Sequence, residues 1–300
     1  MAAVLDVAMD TQLEDWVGEN VTVAEIEREL ARLRATSSSD GDGGPNLRTS
    51  VMTHMAWVPQ RWVKAASETL AGLAERHPSR TLVLVPDGCA REDELDARIE
   101  LRRFPLEGTR RCVSTEVIEL RLSGRRAKVP ASIVNPLLIP DLPVFLRWRG
   151  EPPFDATEFD QLSRVADRLV IDSEEWDALP EAYGELAAVF DRVAVSDIAW
   201  SRTLDWRRAL AGLWPGIAEI RRLRVASPPA EALLLAGWLR SRLRRDVELV
   251  HDDADELELV AVDEEPLRVA ATDLSPSDLL SNELDTYGRD PIYEQAVRAA

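Results

Sequence analysis

Two groups of side chains in this 300-residue sequence have types and spacings that could do chemistry. The first is Trp200, Arg202, Trp206, Arg207 and Arg208, following Asp197, with Asp172 and Ser173 at the end of an earlier predicted strand. Tryptophans interleaved with arginines form stacked pairs worth about 0.5–2 kcal/mol each, and these two residue types dominate the energetics of protein interfaces. The same segment has a second reading, because Trp206, Leu210 and Leu213 fall on one helical face, as internal packing requires. The second group is His77, Ser79 and Arg80, between a helix end and a strand start. A hydroxyl and a guanidinium there could hold an anion such as a sugar phosphate. In the other reading, His77 and Pro78 end the helix, Ser79 fills the turn and Arg80 flanks the strand.

The motifs of common catalytic sites are missing. No G-x-x-x-x-G-K-[ST] occurs, and no G-x-G-x-x-G joins a strand to a helix, since Gly41, Gly43 and Gly44 sit in a linker. No G-x-S-x-G elbow signals a nucleophilic serine. His54, His77 and His251 lie beside no Cys or carboxylate at metal-ligand spacing, and Asp252, Asp253, Asp255 and Glu256 lack the central Gly and terminal Glu of an EF-hand loop. Neither a cofactor nor a metal is expected. With 36 basic against 54 acidic residues the net charge is −18, which repels a polyphosphate backbone and argues against nucleic acid as a partner. Two cysteines, Cys89 and Cys112, in no C-x-x-C pair, read as ordinary thiols in a reducing compartment. The N-terminus lacks a basic segment and no apolar run reaches the ~20 residues of a membrane span. The expectation is a cytoplasmic protein without membrane attachment.

The elements that must position these groups are arranged around Pro136–Trp148, PLLIPDLPVFLRW. An apolar helix end runs into a turn stiffened by Pro140 and Pro143, with Asp141 between them, and leaves as an apolar strand ending on Trp148. Asp141 and Trp148 join the candidate site residues. Upstream, Thr22 and Glu25 have capping-box spacing and Val23, Ile26, Leu30 and Leu33 form one apolar stripe. That helix precedes a flexible linker over 36–45, so it docks at a distance or on a partner. Strands at 47–59 and 81–86 enclose a helix carrying Val63, Ala66, Leu70 and Leu73, a parallel βαβ unit. Alternation over 95–105 and 112–122 predicts an antiparallel pair with one wet face. Val129, Ile133 and Leu137 predict a helix.

Beyond Trp148, a helix around Phe159, Leu162 and Val165 and a strand over 168–173 continue the rhythm. A helix over 174–190 is interrupted at Pro180 and Gly184. A buried helix follows Pro228 and Pro229, and Asp246–Asp263 reads as a hairpin around an acidic turn. Two helices start at Ser275-Pro276 and Asp290-Pro291, the first stopped by Gly288. The fold class is α/β: a mixed, largely parallel sheet flanked by helices, with a second α/β part carrying a C-terminal hairpin and a helical tail. The divisions fall at 1–45 (helix and linker), 46–172 and 173–300.

HPSR at 77–80, PLLIPDLPVFLRW at 136–148, DRLVIDS at 167–173, DIAWSRTLDWR at 197–207 and the ending ELDTYGRDPIYEQAV together resemble the OpcA family, the glucose-6-phosphate dehydrogenase assembly proteins of actinobacteria and cyanobacteria. The likeness runs from about Leu47 to the C-terminus. It implies a non-enzymatic effector that binds glucose-6-phosphate dehydrogenase, promotes its active oligomer and supports the oxidative pentose phosphate pathway. It carries over no catalytic residue and no cofactor. Two alternatives stand beside it: an enzyme acting on a sugar phosphate or its lactone, and a sugar-phosphate sensor in which the 77–80 turn binds and the Trp/Arg segment reports.

Overall fold

The computed structural model describes residues 14–39, 50–73, 76–105, 112–270 and 274–300. Its contacts separate two compact units, Met1–Val144 and Phe145–Ala300, and the boundary drawn near residue 172 from the sequence lies inside the second. The class is α/β, with mixed sheets flanked by helices.

In the first unit β1 (Glu14–Gly18), β2 (Met52–Trp57), β3 (Ser79–Asp87), β4 (Leu95–Pro105) and β5 (Cys112–Ser123) lie in the order β1-β4-β5-β3-β2. β2 and β3 run parallel, joined by α2 (Val63–Leu73), so the expected βαβ unit is present. The apolar face of α2 is buried by Ala66 with Val63 and Leu70 against Ala56, Val83 and Val85. β4 and β5 pair antiparallel, with Ile118, Leu120 and Leu122 buried and Arg121 exposed, the alternation expected.

The N-terminal helix α1 (Val23–Ser39) starts with the predicted box: Glu25 N donates to Thr22 Oγ1 (3.3 Å) and Thr22 N donates to Glu25 Oε2 (2.7 Å). Two expectations about it are corrected. Thr36–Ser39, read as linker, remain helical, and the stripe does not wait for a partner. Ile26, Leu30 and Leu33 are buried and α1 packs on β1 and β4 of its own unit. The rest of the linker lies outside the described residues.

The helix predicted over 129–138 is also corrected. A 3₁₀ turn at Gly124–Lys128, a single α turn α3 (Ala131–Val134) and a further 3₁₀ turn at Asn135–Leu137 replace it. Pro130 only caps the start of α3, but Pro136 lacks an N–H and its ring collides with the carbonyl four residues back, so a continuous ladder through it is broken. Asp141 takes a left-handed conformation (φ 64°) that Asp tolerates better than most residues. Cys89 is an exposed free thiol, and the Cys112 side chain lies outside the described set.

In the second unit β6 (Val144–Trp148), β7 (Arg168–Ile171) and β8 (Ala194–Asp197) are consecutive parallel strands, with α4 (Thr157–Val165) crossing between the first two. β6 is buried along its whole length, as expected of a strand covered on both faces. The helix read over 174–190 shrinks to α5 (Glu181–Ala187), which begins after Pro180 and runs through Gly184. α6 (Ile198–Arg202) and α7 (Leu204–Gly212) carry the Trp/Arg segment.

A second sheet holds β9 (Arg222–Ser227), β10 (Glu248–Asp253), β11 (Leu259–Val262) and β12 (Glu265–Pro266) in the order β10-β9-β11-β12. The hairpin predicted across 246–263 does not form, because β10 and β11 flank β9 from opposite sides. The buried helix α8 (Pro229–Leu243) makes β9-α8-β10 a crossover, which sets β10 parallel to β9 and leaves the other edge of β9 to β11. The tight turn falls one strand later, between β11 and β12, where Asp263 and Glu264 both have positive φ (46° and 75°), the backbone of a two-residue hairpin loop.

The two C-terminal helices, α9 (Pro276–Leu284) and α10 (Pro291–Val297), start where predicted, capped by Ser275 and Asp290. Gly288 does not end α9, which stops at Leu284 with Asp285 as its cap.

Candidate functional site

β8 delivers the chain to Asp197, a fully buried carboxylate that caps α6. It accepts hydrogen bonds from Ala199 N (3.0 Å), Ser173 N (3.0 Å), Ser173 Oγ (2.7 Å) and the Tyr293 hydroxyl (3.1 Å). The Tyr183 hydroxyl lies 3.0 Å from Ser173 Oγ. Burial, then the charge of Asp172, push Asp197 up to about 7 against these donors, and burial also raises both phenols.

Beside it Arg202 gathers acidic groups from three elements. Its guanidinium meets Asp172 in a two-pronged pair (3.1 and 2.8 Å), contacts Glu174 more closely still, and lies 3.6 Å from Glu231 in the first turn of α8. Burial alone would lower Arg202, but Asp172, then Glu174 and Glu231, outweigh it and hold the group above its ordinary value. Burial is also the chief cause that raises Glu174, and it lifts Glu231 to about 8.

The tryptophans divide. Trp200 presents its ring to the Arg207 guanidinium, 3.4 Å from the centroid, and its indole N–H donates to Asp290 Oδ2 (3.0 Å) while Asp290 Oδ1 caps α10. Trp206 enters a core with Leu210, Ile220, Leu223 and Val225, the internal packing foreseen as its second reading, whereas Leu213 of that predicted face is exposed. Trp148 is also core, with the Phe159 ring edge-on at 5.2 Å.

These elements enclose a cavity of about 950 Å³, whose lining includes Trp200, Arg202, Trp206, Arg207 and Glu231. Its volume lies within the usual range of small-molecule sites. The structure therefore brings together Asp172, Ser173, Trp200, Arg202, Trp206 and Arg207, all chosen from the sequence. Glu174, Glu231, Glu283 and Tyr293 were missed. Glu231 offered one signal, an acid in the first turn after Pro228-Pro229, but its burial is set by neighbours distant in sequence.

His77, Ser79 and Arg80 belong to the first unit. The His77 amide closes α2 on Leu73 O (2.9 Å), Ser79 Oγ is 3.3 Å from Thr81 Oγ1, and Arg80 donates to Glu116 (2.8 Å) and Leu137 O (2.6 Å). Arg34 binds the same carboxylate through two 2.6 Å bonds. Burial would raise Glu116, yet the two guanidiniums hold it below its usual value. The anion that Arg80 meets within the unit is thus a side chain of the protein. Asp141 is exposed at its turn.

Comparison with known families places two domain models end to end on this chain. The glucose-6-phosphate dehydrogenase subunit N-terminal domain matches residues 71–188 and the corresponding C-terminal domain matches 193–297. The chain belongs to the OpcA family. Similar curated proteins, which carry the provisional name OxPP cycle protein OpcA, come from Synechocystis sp. (24% identical over 185 residues), Synechococcus elongatus (23% over 184) and Nostoc punctiforme (26% over 184). Each alignment covers 57% of this chain and 38%, 41% and 39% of the respective relative, so the chain spans about two fifths of their length. The C-terminal OpcA domain contains the whole α6–α7 segment as well as Glu231, Asp290 and Tyr293. Among the described residues no helix is long and apolar enough to cross a membrane, and no three His, Cys, Asp or Glu side chains group to hold a metal.

Proposed function

We propose that this protein is a non-enzymatic partner of glucose-6-phosphate dehydrogenase, which it binds and whose active oligomer it promotes, supporting the oxidative pentose phosphate pathway. The observation that carries this reading is the pair of family matches, whose domains are described as belonging to a subunit of that dehydrogenase and together run from residue 71 to residue 297. The local geometry supports it. Four of the acidic groups at the site are bound by the protein itself, Asp172 and Glu174 by Arg202, Asp197 by four donors and Glu283 by Ser201, and Glu231 has no base, nucleophile or metal paired with it among the described residues.

The contact runs through α7 and its exit. Trp214 is 69% exposed directly after this helix, and Leu204 and Arg208 are exposed on it. A tryptophan left in water, on a surface that also exposes an arginine, has the composition of an interface anchor. An effector shifts an assembly equilibrium only by its difference in affinity for the two states, and about 1.4 kcal/mol of difference gives tenfold. Initial rates of the dehydrogenase should rise on titration with this protein, and Trp214→Ala should move the midpoint of that titration about tenfold or more to higher concentration. Unchanged rates across micromolar protein, or turnover of 6-phosphogluconolactone by the protein alone, would defeat the reading.

A further inference from the structure

Among the charged groups in the wall of the 950 Å³ cavity that are wholly or partly buried, most are matched by a neighbour and three are not, whereas Asp255 and Glu256 of the same wall are exposed to water. Arg202 is saturated by carboxylates, Arg208 pairs with Asp205 (3.0 Å), and Asp290 is held by the Trp200 indole and the start of α10. Arg207 differs. It lies over Trp200, donates Nε to Thr203 Oγ1 (3.0 Å) and Nη2 to Trp200 O (3.2 Å), and forms no ion pair among the described residues. Arg168 is the second such cation. Almost fully buried, it donates Nε to Ser196 Oγ (3.1 Å) and Nη1 to the Gly288 carbonyl, again with no carboxylate in pairing distance among the described residues. Burial lowers both guanidiniums, Arg207 to about 10, because Asp290, and for Arg168 Glu283 as well, act on them only at longer range. The third group is Glu231. It is 1% exposed, and its Oε2 has no hydrogen-bond partner although Oε1 stands 3.6 Å from Arg202.

A buried cation without an anion and a buried carboxyl oxygen without a partner each cost free energy, and one ligand that answers both recovers it. Two unpaired guanidiniums ask for an anion with several acceptor oxygens. The carboxyl oxygen asks for a hydroxyl. The edges of Trp200 and Trp206 add apolar ring surface to the wall. We propose that this cavity is a binding site for a phosphorylated polyol of the sugar-phosphate class, its phosphate held by Arg207 and Arg168 and a hydroxyl held by Glu231. The site goes beyond association with the dehydrogenase, and it is tested on this protein alone.

The test is calorimetric titration of the isolated protein with glucose 6-phosphate, fructose 6-phosphate, ribose 5-phosphate and 6-phosphogluconate, beside inorganic phosphate and unphosphorylated glucose. At least one sugar phosphate should bind, inorganic phosphate more weakly, and glucose not at all. Arg207→Gln should weaken the sugar phosphate about tenfold or more and Arg207→Lys less, since loss of a hydrogen bond to a charged group has that size. Glu231→Gln should weaken the sugar phosphate while leaving inorganic phosphate unchanged, a split that misfolding does not produce. Circular dichroism of each variant checks the fold. No binding of any sugar phosphate at millimolar concentration, or affinity unaltered in Arg207→Gln, overturns the proposal. Equal binding of inorganic phosphate and every sugar phosphate overturns the part given to Glu231.

Discussion

Replacing Arg202 with Met keeps the length of the side chain and removes the charge that holds three acidic elements together. In the folded protein this removes the counter-ion that Asp172, Glu174 and Glu231 share. At 3 Å and an effective dielectric constant of about 20, the pair with Asp172 alone is worth roughly 5 kcal/mol of gross attraction. Removing one partner of a buried pair costs about 3–5 kcal/mol net. Because the Arg202 side chain is 28% exposed, water recovers part of this, and about 3 kcal/mol is the expected loss. For a chain of this size that is a drop in Tm of roughly 5 °C. The pH dependence gives the sharper test. Burial already raises Glu174 and Glu231, and without Arg202 nothing offsets it from that side, so these two bind protons more tightly when folded and folding gains as the pH falls. Glu231, already lifted to about 8 by burial with Arg202 present, moves further in the same direction. The deficit of Arg202→Met relative to the wild type should therefore be greatest above about pH 8 and shrink toward about pH 5. Urea denaturation at several pH values measures it. A deficit below about 1 kcal/mol, or one that does not change with pH, would refute the claim that Arg202 neutralises a buried acidic cluster.

Other outcomes follow from the same geometry. Asp197, at about 7 in the folded state against about 4 unfolded, makes the native protein lose stability as pH rises through that window; Asp197→Asn should flatten this part of the stability curve, and an unchanged slope would mean that Asp197 is not its source. Gly237 of α8 lies where an added Cβ would strike Ala296 O and come within 2.9 Å of Ala300 N, so Gly237→Ala should cost about 1–3 kcal/mol in chemical denaturation. Gly184→Ala in α5, where a Cβ meets nothing within 4 Å, should instead add about 0.5–1 kcal/mol. If both variants lose stability equally, close packing of α8 on α10 is not the reason.

How far the sequence could be read depended on whether the information was local. The capping box at Thr22, the prolines opening α8, α9 and α10, and the alternation of β4 and β5 are each written within a few residues, and the structure has them. The unbroken helix at 129–138 does not form, because the apolar periodicity runs through Pro136, which interrupts the ladder. The hairpin at 246–263 failed for a different reason. Two alternating segments across a short polar turn look alike whether they pair with each other or with opposite edges of a third strand, and only the crossover through α8 decides. The candidate site shows the same limit. The Trp/Arg segment was visible as a run, but the acids that give it meaning come from α8, α9 and α10 and converge only in three dimensions. Trp206 carried two readings because a helix-face tryptophan at a cavity wall packs inward and lines the cavity at once.

On the proposed function, this protein acts by binding glucose-6-phosphate dehydrogenase. Light scattering on a size-exclusion column, with the dehydrogenase of the same organism alone and with added protein at micromolar concentration, tests it most directly. A joint peak heavier than either component is expected, with the dehydrogenase shifted to a larger assembly and Trp214→Ala reducing the joint fraction. Separate elution at unaltered masses would contradict it.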